Sequence, residues 1–388
     1  MVPAAASKQT IRMTTVSSAP QARRRAVRAW LLAVAALMVV TLIVGGATRL
    51  TESGLSIVEW RPVTGVVPPL NAAQWQAEFA KYQTIPQYRE RNRGMSLDDF
   101  KNIYWWEWSH RLLARLVGAA FLLPLIWFMW RGDIEARLRL RLWTIFGLGA
   151  ALGAVGWWMV SSGLADRVNV SPYRLGFHLT LACIIYAMIL WTAQQLVSRE
   201  PLLLPARIRM SAIGLMVLVL VQIYLGALVA GLRAGLIYNT WPLIDGGLLP
   251  DASRLLVQEP RWRNFFENAL TVQFDHRMAG YVLLVCALLH AADVARAVRG
   301  GVVLAGALAL AVAIALQAVL GILTLLYQVP LALALAHQAM AILVLTIAVM
   351  HAQRLERRRV ADGTDPAVLA SSPRLEARGA ATPREGAT

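Results

Sequence analysis

Apolar residues in this chain come in long unbroken runs rather than at alternate positions or along one helical stripe. Eight runs, at about 29–48, 109–130, 142–164, 175–197, 210–232, 276–297, 302–325 and 331–351, are long enough to cross a hydrocarbon core, which takes about 20 residues of helix. A helix satisfies its own backbone polar groups in lipid, so the pattern predicts an all-α integral membrane protein with eight transmembrane helices. Within the runs proline is confined to Pro124 and the terminal Pro330. That disfavours a transporter, whose midplane site is built from broken helices. Composition agrees: 57% of residues are hydrophobic and 15% charged, too few charges for an ordinary soluble surface.

Charge then orients the bundle. Arg23, Arg24, Arg25 and Arg28 precede the first run, and Arg131, Arg137, Arg139 and Arg141 lie between the second and third. Arg199, Arg207 and Arg209 follow the fourth, Arg296 and Arg299 the sixth, and Arg354 with Arg357 to Arg359 the eighth. The positive-inside rule puts all of these, and both termini, in the cytoplasm. The long stretch 49–108 carries acids among its basic residues and faces outward. The formal charge of +16 follows from this asymmetry, so the chain needs no nucleic-acid partner. Residues 1–28 read as a cytoplasmic tail and 355–388 as a disordered one, too poor in apolar residues to fold. Cys183 and Cys286 fall inside the fourth and sixth runs and read as neither disulfide partners nor metal ligands.

The chain repeats itself. "GLSIVEWRPVTGVVPP" at 54–69 matches "GLIYNTWPLIDGGLLP" at 235–250 through Gly54/Gly235, Leu55/Leu236, Trp60/Trp241, Gly65/Gly246 and Pro69/Pro250. "EWSHRLLAR" and "QFDHRMAGY" pair His110 with His276, and "GFHLTLACIIYA" and "LAHQAMAILVLT" pair His178 with His337. Two repeated four-helix bundles follow, 29–200 and 201–354, related by a pseudo-two-fold axis along the membrane normal. Any one intramembrane histidine is explained by a helix end at the interface. Two histidines on two helices of one half, repeated in the other, are what two bis-imidazole haem sites require. Zinc would want further Cys, His or carboxylate ligands. Arg111, Arg115 and Arg277 stand where they can pair with haem propionates. His290 and His351 do not repeat and read as packing or interfacial residues.

The segments "ESGLSIVEWRPVTGVVPP", "EFAKYQTIPQYRERNRGMSLDDFKNIYWWEWSHR", "GLRAGLIYNTWPLIDGGLLP" and "DHRMAGY" resemble the haem A synthase family over nearly the whole chain between the tails. The resemblance implies oxidation of a methyl group of haem O to the formyl group of haem A, the haem of terminal oxidases. It implies a haem b cofactor held by His276 and His337, with His110 and His178 as axial residues of the substrate haem. Implied partners are haem O as substrate, haem O synthase, an electron acceptor or donor, membrane lipid and a second copy of the chain; the implied location is the bacterial inner membrane. One branch of the family has a cysteine pair in the first outward loop. This loop has none, which is similar to the branch shared by mitochondria and many proteobacteria.

Glu107 stands three residues before His110, where the second half has Gln273 before His276. Residues three apart share a helix face, so Glu107 is the candidate catalytic base, and glutamine, which cannot ionise, marks the half that only holds a cofactor. The rival explanation makes Glu107 a complement to the helix dipole at an N-terminus. A di-haem electron carrier is the alternative function; it would use the four histidines and need no Glu107. Haem O carries a prenyl tail, so an apolar opening beside the second helix is expected, lined by Trp105 and Trp108.

Overall fold

All eight apolar runs become helices, and several extend well past their apolar cores. The structure, a computed structural model, describes residues 19–356 apart from 166, 198, 200, 201 and 203. In chain order the helices are α1 (Ala19–Leu50), α2 (Ala72–Tyr82), α3 (Pro86–Glu90), α4 (Leu97–Trp130), α5 (Ala136–Ser161), α6 (Pro172–Gln195) and α7 (Ala206–Leu232). There follow α8 (Ala234–Ile237), α9 (Ala252–Leu255), α10 (Asn264–Glu267), α11 (Ala269–Ala297), α12 (Val302–Leu326) and α13 (Leu331–Arg354). The eight long ones, α1, α4, α5, α6, α7, α11, α12 and α13, are those apolar enough to cross a membrane. Among the described residues the only β pairing is one bridge, Ile244 with Gly247.

The largest departures from the apolar pattern are at three helix starts. Helix α1 begins at Ala19, so residues 19–28, read as tail, are helical; residues 1–18 and 357–388 lie outside the described residues, and with them the expected disordered tail. Helix α4 begins at Leu97 because Ser96 caps it, its Oγ accepting from the Asp99 amide at 3.1 Å, with Asp98 and Asp99 in the first turn. Helix α11 begins at Ala269, where the Asn268 side chain accepts from the Leu270 amide at 3.0 Å. A polar cap starts a helix wherever the cap residue stands, whether or not lipid is near. His110 and His276 therefore lie inside their helices rather than at the first turn.

The bundle core runs through all eight long helices, with Leu31, Leu125, Leu142, Leu215 and Leu345 among its buried side chains. Helices α1, α4, α5 and α6 meet α7, α11, α12 and α13 along a seam made by α1 and α6 against α7 and α13. Close approach there uses small residues: a β-carbon on Gly231 would lie 2.9 Å from Pro172, and one on Gly176 would lie 2.9 Å from the Tyr224 ring. Tyr186 and Thr346 share a hydrogen bond of 2.8 Å across it. At the loop-rich end the Arg49 Nη2 donates to the carbonyls of Ala230 and Gly231 at 3.0 and 3.3 Å. Beside it Glu52 pairs with Arg233. Both residues have left-handed backbones, at φ +58° and +53°. They also occupy corresponding places in the duplicated loops, two residues before Gly54 and Gly235.

Residues 51–96 fold as a second, smaller core against α4 and α5. Phe79, Tyr82, Ile85, Phe100 and Tyr104 pack with Leu55 and Ile57 from the first loop and Val160 from α5. Phe100 is completely buried, and its ring lies 5.0 Å from Phe79 and 5.4 Å from Tyr82. Phe100→Ala is expected to destabilise this cap by about 3–5 kcal/mol. The measurement is trypsin cleavage at Arg89, Arg91 and Arg93, which should accelerate while the membrane helices stay protected.

Candidate functional site

Each of the four repeated histidines lies edge-on against a glycine of the long helix that precedes its own. A β-carbon on Gly45 of α1 would stand 2.7 Å from His110 Cε1, and one on Gly156 of α5 would stand 3.1 Å from His178 Cε1. In the second half the distances are 3.0 Å from Gly226 of α7 to His276 and 2.8 Å from Gly321 of α12 to His337. Carbon atoms in contact sit at about 3.5–4.0 Å, so a larger residue would displace each ring. The Nδ1 atoms of His178, His276 and His337 are buried without a hydrogen-bond partner, whereas His110 Nδ1 is 3.2 Å from the Thr41 carbonyl. All four side chains keep some accessible surface, unlike His290 and His351 at 3% and 4%.

These residues fit a haem. Each half offers two imidazoles on two helices, each set against bare backbone, and iron takes one axial nitrogen from each side. Among the described residues no group of three or more His, Cys, Asp or Glu could hold another metal.

Beside each histidine pair a loop is strapped to its helix. In the first half Glu107, Arg111 and Arg115 form a stripe four residues apart on α4. Glu107 is 2% exposed. Its Oε2 accepts from Ser56 Oγ and the Ile57 amide, both at 2.8 Å, and its Oε1 from Arg111 Nη2 at 2.6 Å and Nε at 3.1 Å. Arg111 also donates to the carbonyls of Ile57 at 2.7 Å and Glu59 at 3.0 Å, and Arg115 to those of Arg61 at 2.6 Å and Pro62 at 2.8 Å. In the second half the stripe is Gln273, Arg277 and Tyr281 on α11. Gln273 and Arg277 donate to the Tyr238 carbonyl at 2.8 and 3.1 Å, Arg277 donates to Leu243, and Tyr281 accepts from Trp241 Nε1 at 2.9 Å. Tyr238 stands where Ile57 stands in the first loop, three residues after Gly235 and Gly54.

Residues 28–349 match the family of cytochrome oxidase assembly proteins. The chain is 60% identical to a protein named haem A synthase from Rhodopseudomonas palustris strain BisB5, over 88% of this chain and 94% of that one. It is also 60% identical to a haem A synthase of Bradyrhizobium diazoefficiens, over 92% and 98% of the two chains. The chain belongs to the family of cytochrome oxidase assembly proteins.

Several site residues of this family member sit differently from their sequence reading. Glu107 is ten residues from the start of α4 at Leu97, too far in to complement a dipole whose effect fades within the first turn. Arg111, Arg115 and Arg277, read as propionate partners, direct these bonds to loop carbonyls; only Arg277 Nε is left buried without a partner. Trp105 is 41% exposed and meets Trp108 edge-on at 5.3 Å, and Trp108 Nε1 is buried unpartnered. His290 and His351, read as separate packing residues, form one buried pair: their Nε2 atoms are 2.8 Å apart, and Ser211 Oγ is 2.8 Å from His290 Nδ1. Cys183 and Cys286 are free thiols.

Outside the membrane segments, the strap's neighbour Glu59 contacts Lys81 at 3.2 Å and pairs with Arg61. Burial pushes the Glu59 carboxyl up, but the hydrogen bonds and charge of Lys81 and Arg61 outweigh it and hold the group below its ordinary value. Two residues escaped the sequence reading. Gln222 Nε2 donates to the His276 carbonyl and Gln317 Nε2 to the His337 carbonyl, both at 3.0 Å. Each precedes by four residues the glycine that faces its histidine, so Gln-x3-Gly was the available signal.

Arg115→Ala removes the bonds that hold residues 61 and 62 to α4. Hydrogen bonds to a charged group contribute about 1.5–3 kcal/mol each, so exchange of the Gly65 amide, which donates to Arg61, is expected to speed up at least tenfold. Hydrogen–deuterium exchange read by mass spectrometry checks it.

Proposed function

We propose that this protein makes haem A from haem O in the bacterial inner membrane, with both termini in the cytoplasm. One observation carries the reading: two histidine pairs in an otherwise similar setting, one beside a carboxylate and the other beside an amide. His276 and His337 would hold a resident haem b, and His110 and His178 would flank the substrate haem. Identity to proteins named haem A synthase supports the activity, and the unpartnered imidazole nitrogens of His178, His276 and His337 support their ligand roles. An external electron acceptor is required, and haem O synthase and a second copy of the chain are the further partners of this reading.

Oxidising a porphyrin methyl to a formyl group proceeds in two rounds. Each round adds a water oxygen and releases two electrons and two protons; the geminal diol then loses water. Haem b, when bound, supplies a one-electron relay. The chain's own residues hold the substrate ring between His110 and His178 and take up protons released as water adds to the oxidised carbon. Glu107 is the proposed acceptor of those protons. Its four donors set the terms of that step: a proton on Oε1 displaces Arg111, and one on Oε2 displaces Ser56 or Ile57. Proton uptake at Glu107 is thereby coupled to the hold on the 56–59 strap. A second reading follows from the same four bonds. With every acceptor site engaged, Glu107 serves only to fasten the strap, as Gln273 does in the other half.

Glu107→Gln separates the two. As base, the variant inserts, keeps haem b and accumulates haem O or its alcohol, with haem A formation falling by roughly 10²–10⁴-fold. As strap holder, it forms haem A at a near-normal rate, since glutamine fills the corresponding place at 273. Chromatography of extracted haems distinguishes these outcomes. The assignment of the halves has its own test. Replacing His276 or His337 by Ala should abolish the low-spin haem b spectrum, and replacing His110 or His178 should leave most of it; equal loss from all four would sink the assignment.

A further inference from the structure

The two halves hold their histidines from behind in different ways. In the second half an amide stands one turn from each glycine that faces a histidine, Gln222 before Gly226 and Gln317 before Gly321. Each Nε2 donates to the backbone carbonyl of its histidine at 3.0 Å, tying α7 to α11 at His276 and α12 to α13 at His337. Gln317 Nε2 also lies 3.4 Å from His337 Nε2, so the amide reaches the ring itself. Each glutamine keeps a buried Oε1 with no partner, and each of these histidines keeps a buried Nδ1 with no partner. An amide donates and accepts at once. It can hold the histidine's carbonyl while offering an acceptor to an imidazole N–H nearby.

The first half has neither amide. Thr41 stands four residues before Gly45, and Leu152 four before Gly156. Thr41 directs its hydroxyl to its own helix, at 2.9 Å from the Leu37 carbonyl, and meets His110 only through its backbone oxygen. Leu152 has nothing polar to offer His178, whose Nδ1 is unpartnered. The glycine contacts are alike in both halves; beyond them the first half has a backbone carbonyl at the His110 ring, and the second has an amide bonded at each of its histidines.

We propose that Gln222 and Gln317 are positioning residues that make the second half a permanent holder of its haem, and that Thr41 and Leu152 at the corresponding places let the first half release one. The inference rests on the reading that His276 and His337 hold the cofactor and His110 and His178 the substrate. Its physical basis is general. Residues that orient a ligating imidazole without touching the metal fix the ring and its basicity, and losing them typically weakens metal binding by roughly 10–100-fold. A half that must pass its haem on is served by the looser arrangement, and a half that must keep it by the tighter one.

The test exchanges the residues between halves in the full-length, haem-loaded protein. Gln222→Thr with Gln317→Leu introduces side chains the other half already carries in the membrane. Transfer of haem b to excess apomyoglobin, followed by absorbance, should then run roughly 10–100-fold faster, with a changed low-spin electron paramagnetic resonance signal. Thr41→Gln with Leu152→Gln should do the reverse, so that haem resists transfer from the first half and the purified chain retains more haem than the parent. A parental transfer rate in the first exchange overturns the proposal. So does a first half that sheds haem as before in the second exchange, which needs no destabilising change in the cofactor half. His276→Ala keeps the underlying reading separate. If that variant retains haem b, the assignment of the halves is wrong. If it loses haem b while the glutamine exchanges change nothing, the assignment stands and this inference alone fails.

Discussion

Each of the four repeated imidazoles packs as closely as it does only because the residue facing it has no side chain. That steric constraint is met at Gly45, Gly156, Gly226 and Gly321, and the rest of the site depends on it. The glycines let each histidine ring press against backbone rather than against a mobile side chain, which sets the direction of its free edge. They also fix which helices must be neighbours: α1 with α4, α5 with α6, α7 with α11, and α12 with α13. Those four pairings are the frame from which the two halves are built, and they leave the loop-rich ends of α4 and α11 free to carry the straps.

The strap is the second device, and it acts through backbone carbonyls. Arg111 and Arg277 grip the loops at Ile57 and Tyr238 in the same manner, so the loop path beside each histidine is set by a guanidinium rather than by the loop's own side chains. The halves diverge one turn earlier, at Glu107 and Gln273. A carboxylate there brings a charge that Arg111 balances, whereas the second half has an amide at the corresponding place.

How much of this was legible from the chain follows from the kind of force involved. Lipid demands about 20 apolar residues, so all eight spans could be read, as could the histidines that recur in both halves. Helix starts could not, because Ser96 and Asn268 cap their helices outside the apolar runs. The arginines were recognisable as important but not in their partners: a carbonyl has no residue letter, and Arg115 reaching Arg61 and Pro62 leaves no mark in either loop. Gln222 and Gln317 escaped notice because their partners, the backbone carbonyls of His276 and His337 at 3.0 Å, leave no trace in the residue pattern. His290 and His351 were judged one at a time, and their meaning lies in the pair.

The contact between Glu52 and Arg233 bears on which halves can meet along the seam. The two residues hold the same place in the two loops and share the same unusual backbone, yet carry opposite charges. If two first halves met along this seam in the same way, Glu52 would face Glu52; if two second halves met, Arg233 would face Arg233. Only unlike halves bring attraction to that point. The contact therefore favours the meeting of unlike halves at this seam and disfavours that of like ones.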